Sequence, residues 1–453
     1  MRQSHFSEIY MLGDSSVSKE KKIIQIQERV SVGKWIPLSI QHTFAMFSAS
    51  VLVPLLLGIS PSIVLLMNGI GTLIFIFITK GKSPAYLGSS FAFIAPAGLV
   101  IGSMGYQYAL GGFVITGLIF CAVAIIIKFA GTAWIDAILP AAAMGPIVAL
   151  IGLELAKTAA STGGMLVDKA SGYTELNPKF VIVFLITLLV AVFGQVLFRG
   201  FAAAIAILIA IIVGYFAALA FGLVDFSNVG KAAVVALPAF AAPKFSLDAI
   251  LIIIPASLVV ISEHIGHQVV TSQIVGKDLI KDPGLHRTLL SDGVSTTLSG
   301  FCGSVPTTTY GENIGVMAVT KVYSVWVIGG AACFSIALGF IGKVSAVIQT
   351  IPGPVMGGIS FLLYGMIAAS GLRLIVDKKV NYAKPRNLAL SSVVLITGLS
   401  GVAINIGAVQ LTGMCLATIV GMALGIIFYI FDKLKISNDY DEPDEVTEAK
   451  PLE

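Results

Sequence analysis

Long apolar runs, separated by short polar loops, fill the chain between about residues 37 and 431. Each run approaches the ~20 residues that an α-helix needs to cross a bilayer. The pattern therefore predicts an all-α polytopic membrane protein with fourteen transmembrane segments. The predicted spans are 37–57, 61–79, 84–101, 106–129, 134–156, 180–198, 201–222, 248–271, 289–304, 306–320, 323–342, 345–375, 388–408 and 411–431.

The two polar ends are predicted to lie outside the bilayer, on the cytoplasmic side. Residues 1–36 have mixed charge and no apolar stretch typical of a signal peptide. Residues 433–453 are predicted to form a disordered tail, because seven acids stand against one lysine between Asp439 and Glu453. With both termini cytoplasmic, the inside segments hold 22 of the 28 Lys and Arg residues. We therefore expect a multi-pass protein of the cell membrane.

Composition narrows the class of protein further. The chain is 57% hydrophobic and 11% charged, with a mean hydropathy of +0.95, whereas soluble domains carry about 25% charged residues. A net charge of +4 provides no basic field for nucleic acid, so we expect contacts with lipid and none with nucleic acid. The four cysteines show no metal-ligand spacing, and we expect no metal and no cofactor.

Three pairs of matching motifs indicate an internal repeat. They are Leu139-Pro-Ala-Ala-Ala-Met-Gly-Pro-Ile147 with Ile351-Pro-Gly-Pro-Val-Met-Gly-Gly-Ile359, Pro84 with Pro306, and His42 with His264. The first pair is 212 residues apart and the other two are 222 apart. Each half then holds seven spans, an odd number, so the second half must be inverted in the membrane. Inverted repeats with interrupted spans are typical of transporters, whose binding sites lie where the interruptions meet.

The third and tenth spans are rich in Pro, Gly, Ser and Thr, beginning at Pro84 and Pro306. Non-helical backbone at membrane depth is tolerated where it is buried in protein or lines a cavity. A helix that starts there would direct free N–H groups at a ligand. The alternative is that the small residues only allow close helix packing.

Two acids, Glu263 and Glu312, fall near the middle of predicted spans, where an ionisable side chain indicates function unless it makes a structural hydrogen bond. Asp136, Glu154 and Asp292 are predicted to lie towards span ends and to reach the interface. His267 follows Glu263 by one helical turn, so the two could share a proton, or His267 could be a buried packing residue.

Other candidate residues carry weaker signals. His264 points to another face than His267 and is expected to be structural, and His42 has no partner that the sequence identifies. Phe91, in the third span, could stack on a flat heterocycle, with Tyr310 and Tyr364 as further cavity walls. Together with carboxylates and backbone N–H groups, these aromatic rings suit a flat, neutral ligand that carries adjacent N–H and C=O groups.

The segment Glu312-Asn-Ile-Gly-Val-Met-Ala-Val-Thr-Lys321 resembles the signature of the nucleobase–ascorbate (nucleobase:cation symporter-2) transporters. Its leading Glu is similar to that of the uracil-transporting bacterial members. The resemblance extends to Gln41-His42, the segment from Pro84 to Phe93, Glu263-His-Ile-Gly-His267, Asp282-Pro-Gly-Leu-His286 and Pro354-Val-Met-Gly-Gly358. It thus covers nearly all of the chain between the first and last spans.

The resemblance implies two inverted seven-span repeats, a core domain, a gate domain, and short antiparallel strands in spans 3 and 10. It further implies a homodimer that forms through the gate domain. The implied boundaries are 1–36 for the N-terminal segment, 37–130 and 246–343 for the core, 131–245 and 344–432 for the gate, and 433–453 for the tail.

The resemblance also implies the roles of individual residues. Phe91, Glu263, Gly311 and Glu312 would contact uracil, and Asn313 belongs to the signature. Glu263, His267 and Glu312 would couple uptake to protons. Ser262 and Thr307 depart from the family, which has Ala and Asn there, and Thr307 is expected to lie close enough to the site to affect ligand preference.

The sequence therefore predicts a proton-coupled symporter that imports uracil by alternating access. A purine carrier of the same fold, for xanthine or urate, remains an alternative, and so does a passive facilitator or channel. An enzyme is not expected, because Glu263 and His267 alone supply neither a nucleophile with its base nor a metal cluster.

Overall fold

Helices form most of the chain in the computed structural model, which describes residues 23–167, 175–199, 201–406 and 409–439. The helices of the first half are α1 Val32–Leu57, α2 Pro61–Ile78, α3 Ile94–Ser103, α4 Tyr106–Ala130, α5 Ala133–Ile138, α6 Ala141–Thr162, α7 Pro178–Leu197, α8 Phe201–Ala204, α9 Ala206–Ala220 and α10 Ser227–Lys231. Those of the second half are α11 Leu247–Val275, α12 Leu285–Cys302, α13 Gly311–Thr320, α14 Val325–Gly339, α15 Gly342–Gln349, α16 Gly353–Asp377, α17 Pro385–Leu399 and α18 Gly413–Lys433. Four short strands complete the set: β1 Leu87–Ser89, β2 Thr307–Thr309, β3 Ala403–Ile406 and β4 Val409–Thr412.

Eight of the described helices, α1, α2, α4, α6, α7, α11, α16 and α18, are long and apolar enough to cross a membrane. Shorter apolar helical segments occur at Phe91–Ser103, Ala206–Ala220 and Val325–Gly339. The helix α7 has a mean hydropathy of 2.8, yet only 28% of its apolar window is buried within the protein. Such an exposed apolar surface suits contact with lipid. A multi-pass membrane architecture follows, while the count of fourteen spans remains a prediction.

Proline divides two of the predicted spans into a short and a long helix. The predicted span 134–156 breaks at Pro140, between α5 and α6, and the predicted span 345–375 breaks at Pro352, between α15 and α16. Both prolines have extended backbone at the N-cap of the long helix, consistent with the restricted φ of proline. The two breaks lie in the matched proline motifs, so these motifs also share a local structure.

The strands β1 and β2 join the third and tenth predicted spans. They pair antiparallel, with Leu87 opposite Thr309, Gly88 opposite Thr308 and Ser89 opposite Thr307. This pairing satisfies backbone groups that non-helical segments would otherwise leave unpaired inside the bundle. The prediction of short antiparallel strands in these two spans is confirmed.

A second pair of strands corrects the prediction for the last two spans. The predicted span 388–408 leaves the helical conformation after Leu399, and β3 then pairs antiparallel with β4. The alternating residues of Ala403–Ile406 and Val409–Thr412 match the two-residue period of strands. A short apolar run does not distinguish a strand from the end of a helix, and the chain is therefore not wholly α-helical.

The long helices pack in two groups. In one group α12 packs on α2 and α4, and α14 packs on α1 and α2. The Ser39 hydroxyl of α1 donates to the Val327 carbonyl of α14 over 2.9 Å, and the Ser335 hydroxyl of α14 donates to the Leu65 carbonyl of α2 over 2.8 Å. In the other group α16 packs on α6 and α7, and α17 packs on α6 and α18. The site described below lies where β1, β2 and α11 meet the second group.

The N-terminal segment before α1 packs on the loop between α13 and α14. The Ile24 N–H donates to the Lys321 carbonyl over 3.0 Å, and the Tyr323 N–H donates to the Ile24 carbonyl over 2.8 Å. Ile26 is 2% exposed and lies in a cluster that includes Tyr86 and Met317. The described part of the predicted N-terminal segment is thus an integral part of the fold.

Replacing Ile26 with Ala is expected to destabilise the protein by about 2–5 kcal/mol, because it leaves a cavity in a packed cluster. Thermal unfolding of the purified protein in detergent would show the loss as a lower midpoint. Ile23→Ala is the matched control, since Ile23 is 49% exposed and its truncation should leave the midpoint unchanged. Equal midpoints for the two variants would contradict the packing role of Ile26.

The start of the predicted C-terminal tail is also packed. Asp439 is buried, and its carboxylate accepts the Arg386 N–H over 3.2 Å. The Arg386 guanidinium contacts Asp432 at the end of α18. The predicted tail, 433–453, is therefore anchored to the fold at Asp439, and its residues 440–453 lie outside the described part of the chain.

Candidate functional site

The strand pair positions the first turns of two helices. A turn of 3-10 helix, Phe91–Phe93, follows β1 and leads into α3, while α13 begins two residues after β2. In neither case does the N-cap side chain bond the helix backbone. The first N–H groups of a helix lack partners within the helix and carry the positive end of its dipole. Both helix starts can therefore donate hydrogen bonds to a polar ligand.

Tyr310 links the two strands at the start of α13. Its hydroxyl donates to the Ser89 carbonyl over 2.8 Å, and its side chain is buried. The ring lies directly against Gly88, where a Cβ atom would collide with it. The lack of a side chain at Gly88 thus allows Tyr310 to cross β1, which fixes the direction in which α13 begins.

The helix α11 presents Glu263 and His267 on adjacent turns. Both side chains are half-buried. The Thr309 hydroxyl lies 3.1 Å from His267 Nδ1. The other ring nitrogen, Nε2, faces Gly311, because a Cβ atom added at Gly311 would lie 3.3 Å from it. The exposed Gly311 and the imidazole therefore border the same space at the start of α13.

Glu312 is the second residue of α13 and lies within electrostatic reach of Glu263. Its side chain is half-buried. An acid in the first turn interacts favourably with the helix dipole. The two carboxyl groups, on different helices, can accept two N–H groups of one ligand.

An aromatic wall closes the site towards the second group of helices. The rings of Phe91 and Tyr364 meet edge to face, with centroids 6.2 Å apart and planes at 81°. Phe91 is half-buried and Tyr364, on α16, is buried. This contact joins the two groups of helices near the strand pair. Because Phe91 is only half-buried, the accessible part of its ring can stack on a planar ligand.

His42 and Asn313 meet behind the start of α13. His42 Nδ1 lies 2.9 Å from Asn313 Oδ1, and both side chains are buried. Within the described part of the chain, His42 Nε2 and Asn313 Nδ2 have no hydrogen-bond partner. His42 therefore has the partner that the sequence alone could not identify, and the pair holds α13 against α1.

One prediction about polar residues is wrong. Asp292, expected near the interface, is fully buried with His264, because α12 packs its polar face into the bundle instead of the bilayer surface. Thr307 is also buried, and its hydroxyl lies 2.7 Å from Ser295 Oγ on α12; its effect on ligand preference stays a prediction.

The other acids expected towards span ends differ in their surroundings. Asp136 is exposed, and its position at the membrane interface stays a prediction. Glu154 is half-buried, and its carboxylate accepts the Met414 N–H over 3.0 Å, at the start of α18. Glu154 therefore has a structural role, because it caps the start of α18.

Sequence reasoning missed the role of Thr309. Thr309 hydrogen-bonds His267 and orients the imidazole ring. The Pro-Thr-Thr-Thr sequence alone does not show that this threonine contacts His267. The remaining candidates lie around the start of α13, where they provide helix-start N–H groups, the carboxyl groups of Glu263 and Glu312, the His267 imidazole and an aromatic wall. This set can bind a planar, neutral molecule that has both N–H and C=O groups, and it can hold a proton.

A polar, half-buried site between two groups of membrane-spanning helices is typical of transporters. The Permease family profile matches residues 33–407, and the chain belongs to this family. The prediction that it is a transporter and not an enzyme is thereby confirmed, as is the family resemblance.

Two relatives match almost the whole chain. The uracil permease of Paenibacillus larvae is 56% identical over 418 residues, which cover 92% of this chain and 99% of the relative. The uracil permease of Escherichia coli K12 is 56% identical over 415 residues, with coverage of 92% and 96%.

Solved structures of low sequence identity share this fold. The murine solute carrier 26 family member A9, an anion transporter solved in the inward-facing state, superposes with a TM-score of 0.68 at 11% identity. The superposition covers 94% of this chain and 74% of that one. This similarity shows the fold alone.

Proposed function

We propose that this permease imports uracil across the cytoplasmic membrane as a proton-coupled symporter. The observation that carries the proposal is the pair of carboxyl groups, Glu263 and Glu312, beside two open helix starts. Uracil has two ring N–H groups and two carbonyls, which match these acceptors and donors in kind. The 56% identity to proteins named uracil permeases supports the same ligand.

Each site residue has a proposed role. Phe91 and Tyr310 form the walls against which the ring packs, with Tyr364 closing the space from the gate side. Glu263 and Glu312 accept the ligand N–H groups, and the backbone at Gly311 donates to a carbonyl. A proton from outside neutralises part of the cluster of Glu263, His267 and Glu312, so that uracil and the proton enter together.

Alternating access is proposed to occur between the two groups of helices. The core domain, 37–130 and 246–343, would move against the gate domain, 131–245 and 344–432. The aromatic contact of Phe91 with Tyr364 supports this division, because it joins the two domains beside the ligand and must change when they separate. We further propose fourteen spans in two inverted repeats, cytoplasmic termini, and a homodimer that forms through the gate domain.

Competition for uptake tests the ligand. Labelled uracil uptake into proteoliposomes should fall by more than half in the presence of a tenfold excess of unlabelled uracil and stay within about 20% of its initial value with the same excess of xanthine. Xanthine has a fused five-membered ring whose nitrogen atoms have no proposed partner in the site, and a polar site rejects a poorly matched ligand by leaving buried groups unpaired. Stronger competition by xanthine than by uracil would favour the purine carrier instead.

A passive facilitator is the second alternative. Two half-buried acids disfavour the passage of anions through the site. A facilitator would equilibrate uracil across the membrane and would not concentrate it, so accumulation of uracil under an imposed proton gradient distinguishes it from a symporter.

A further inference from the structure

The ribbon of β1 and β2 has two outer edges, because these strands form a two-stranded sheet in the described part of the chain. Residue pairs in an antiparallel ribbon alternate between those that exchange backbone hydrogen bonds and those whose N–H and C=O groups point outwards. The Ser90 N–H donates to the Pro306 carbonyl over 2.9 Å. In this register the backbone groups of Leu87 and Thr307 point outwards. Both residues are fully buried, so these groups need partners from within the protein.

A threonine of α2 provides the partner for β1. The Thr72 hydroxyl accepts the Leu87 N–H over 2.9 Å and donates to the Asn68 carbonyl of its own helix over 2.8 Å. The Leu87 carbonyl lies 3.4 Å from the same hydroxyl. Thr72 is fully buried. Its hydroxyl therefore lies where a third strand would otherwise pair with Leu87.

A threonine of α12 provides the partner for β2 in the same way. The Thr296 hydroxyl accepts the Thr307 N–H over 3.2 Å and donates to the Thr307 carbonyl over 3.0 Å. The direction of both bonds is fixed, because a backbone N–H can only donate and a carbonyl can only accept. Thr307 is the first residue of β2, as Leu87 is of β1. Each strand is therefore held at its first residue by the hydroxyl group of one threonine.

The two threonines occupy equivalent positions on two helices that touch each other. Thr72 is the twelfth residue of α2, and Thr296 is the twelfth residue of α12. The preceding residues, Gly71 and Ser295, lie against each other, since a Cβ atom at Gly71 would collide with the Ser295 hydroxyl. The helices α2 and α12 therefore form one support, with a threonine hydroxyl for each edge of the ribbon.

Both of the held residues lead directly into the ligand space. Leu87 lies four positions before Phe91, and Thr307 lies four positions before Gly311. Each strand is three residues long. Fixing the first residue of so short a strand also fixes the direction in which the next helix begins. The threonines thus act on the ligand through the strands.

We propose that Thr72 and Thr296 are positioning residues for uracil binding, whose hydroxyl groups hold the ribbon so that the helix starts at Phe91 and Gly311 face the ligand. The inference rests on the proposed function. Without the hydroxyl group, a backbone N–H of the ribbon is left buried and unpaired. The strand relieves this cost by moving away from its supporting helix, and the helix start moves with it.

The substitution Thr72→Val tests the bond to β1. Valine keeps the branched shape of threonine and lacks the hydroxyl group. We expect the KM for uracil to rise about tenfold at an unchanged amount of inserted protein. Thr72→Ser keeps the hydroxyl group, and its KM should stay within about twofold of the wild-type value. A wild-type KM for the Val variant would overturn the positioning role, and so would equal changes in both variants, because the methyl group would then be what matters.

The substitution Thr296→Val tests the bond to β2. It should also raise KM about tenfold, because Thr307 then loses a partner for both of its outward backbone groups. Thr296→Ser should again restore the wild-type KM. If a Val variant does not insert, the corresponding Cys variant replaces it. The thiol is a weak acceptor, and KM should rise about threefold; an unchanged KM would overturn the role equally.

Thr187→Val is the matched control. Thr187, on α7, is fully buried, and its hydroxyl donates to the Val183 carbonyl of its own helix over 2.7 Å. The same chemical change is thus made away from the ribbon, and KM should remain at the wild-type value. A rise in KM as large as that of Thr72→Val would overturn the proposal, because loss of any buried threonine hydroxyl would then have the same effect.

Two measurements separate this inference from the proposed function. Absence of uracil uptake by the wild-type protein would contradict the proposed function. Amide hydrogen exchange tests the ribbon without any substrate: a peptide that covers residues 84–93 should exchange faster in Thr72→Val than in the wild type. Equal exchange rates would overturn the role of Thr72, whatever the protein transports.

Discussion

Replacing Glu312 with Gln is expected to reduce uracil uptake by about 100-fold or more while the protein still inserts into the membrane. The carboxylate is proposed both to accept a ligand N–H and to take part in proton coupling, and the amide can do neither in full. A hydrogen bond to a charged group contributes about 1.5–3 kcal/mol, which is about one to two orders of magnitude in affinity. Initial rates in proteoliposomes, normalised to the inserted protein, measure the loss.

Glu175→Gln is the matched control for this experiment. It makes the same chemical change on an exposed residue in the loop before α7, and it should leave uptake at the wild-type rate. If the Glu312→Gln variant takes up uracil at the wild-type rate, the ligand site has been assigned to the wrong residues. Glu263→Ala should also abolish uptake, since it removes the second carboxyl group of the site.

The substitution Gly88→Ala has the second largest expected effect. A Cβ atom at this position collides with the Tyr310 ring, so either the ring or β1 must move. Overpacking of this kind costs about 1–3 kcal/mol. The movement would also break the bond from the Tyr310 hydroxyl to the Ser89 carbonyl and misalign the start of α13. We expect uptake at limiting uracil to fall by about 10- to 100-fold.

Gly98→Ala provides the comparison for Gly88→Ala. A Cβ atom at Gly98, in α3, meets nothing within 4 Å, so this variant should transport uracil normally. Uptake measured over a range of uracil concentrations separates a change in KM from a loss of inserted protein. Unchanged kinetics for Gly88→Ala would contradict the role of the Tyr310 contact in shaping the site.

The sequence predicts the architecture well where it depends on the hydrophobicity and backbone preferences of neighbouring residues. The third and tenth spans are rich in small and polar residues, which predicts interrupted helices, and β1 and β2 are found there. The predicted helix boundaries fail at Pro140 and Pro352, because an apolar run continues across a proline that the helix does not cross. The hairpin of β3 and β4 is missed for a similar reason, since hydropathy alone does not distinguish a strand from a helix end.

Side-chain partners are the part that the sequence does not supply. Position along a span places Asp292 near the interface, yet a polar helix packed inside the bundle buries it against His264. Likewise, the Pro-Thr-Thr-Thr run does not reveal that Thr307 bonds α12, Thr308 bonds Asp292 and Thr309 bonds His267. These contacts join residues between 12 and 42 positions apart, and only the folded bundle determines them.

The central claim, that uracil import is driven by protons, is tested most directly by uptake into proteoliposomes under an imposed inward proton gradient. Labelled uracil should accumulate inside above its external concentration, and the accumulation should collapse when a protonophore is added. Simple equilibration, unaffected by the protonophore, would contradict proton coupling and support a facilitator. No uracil uptake by correctly inserted protein would contradict the proposed substrate itself.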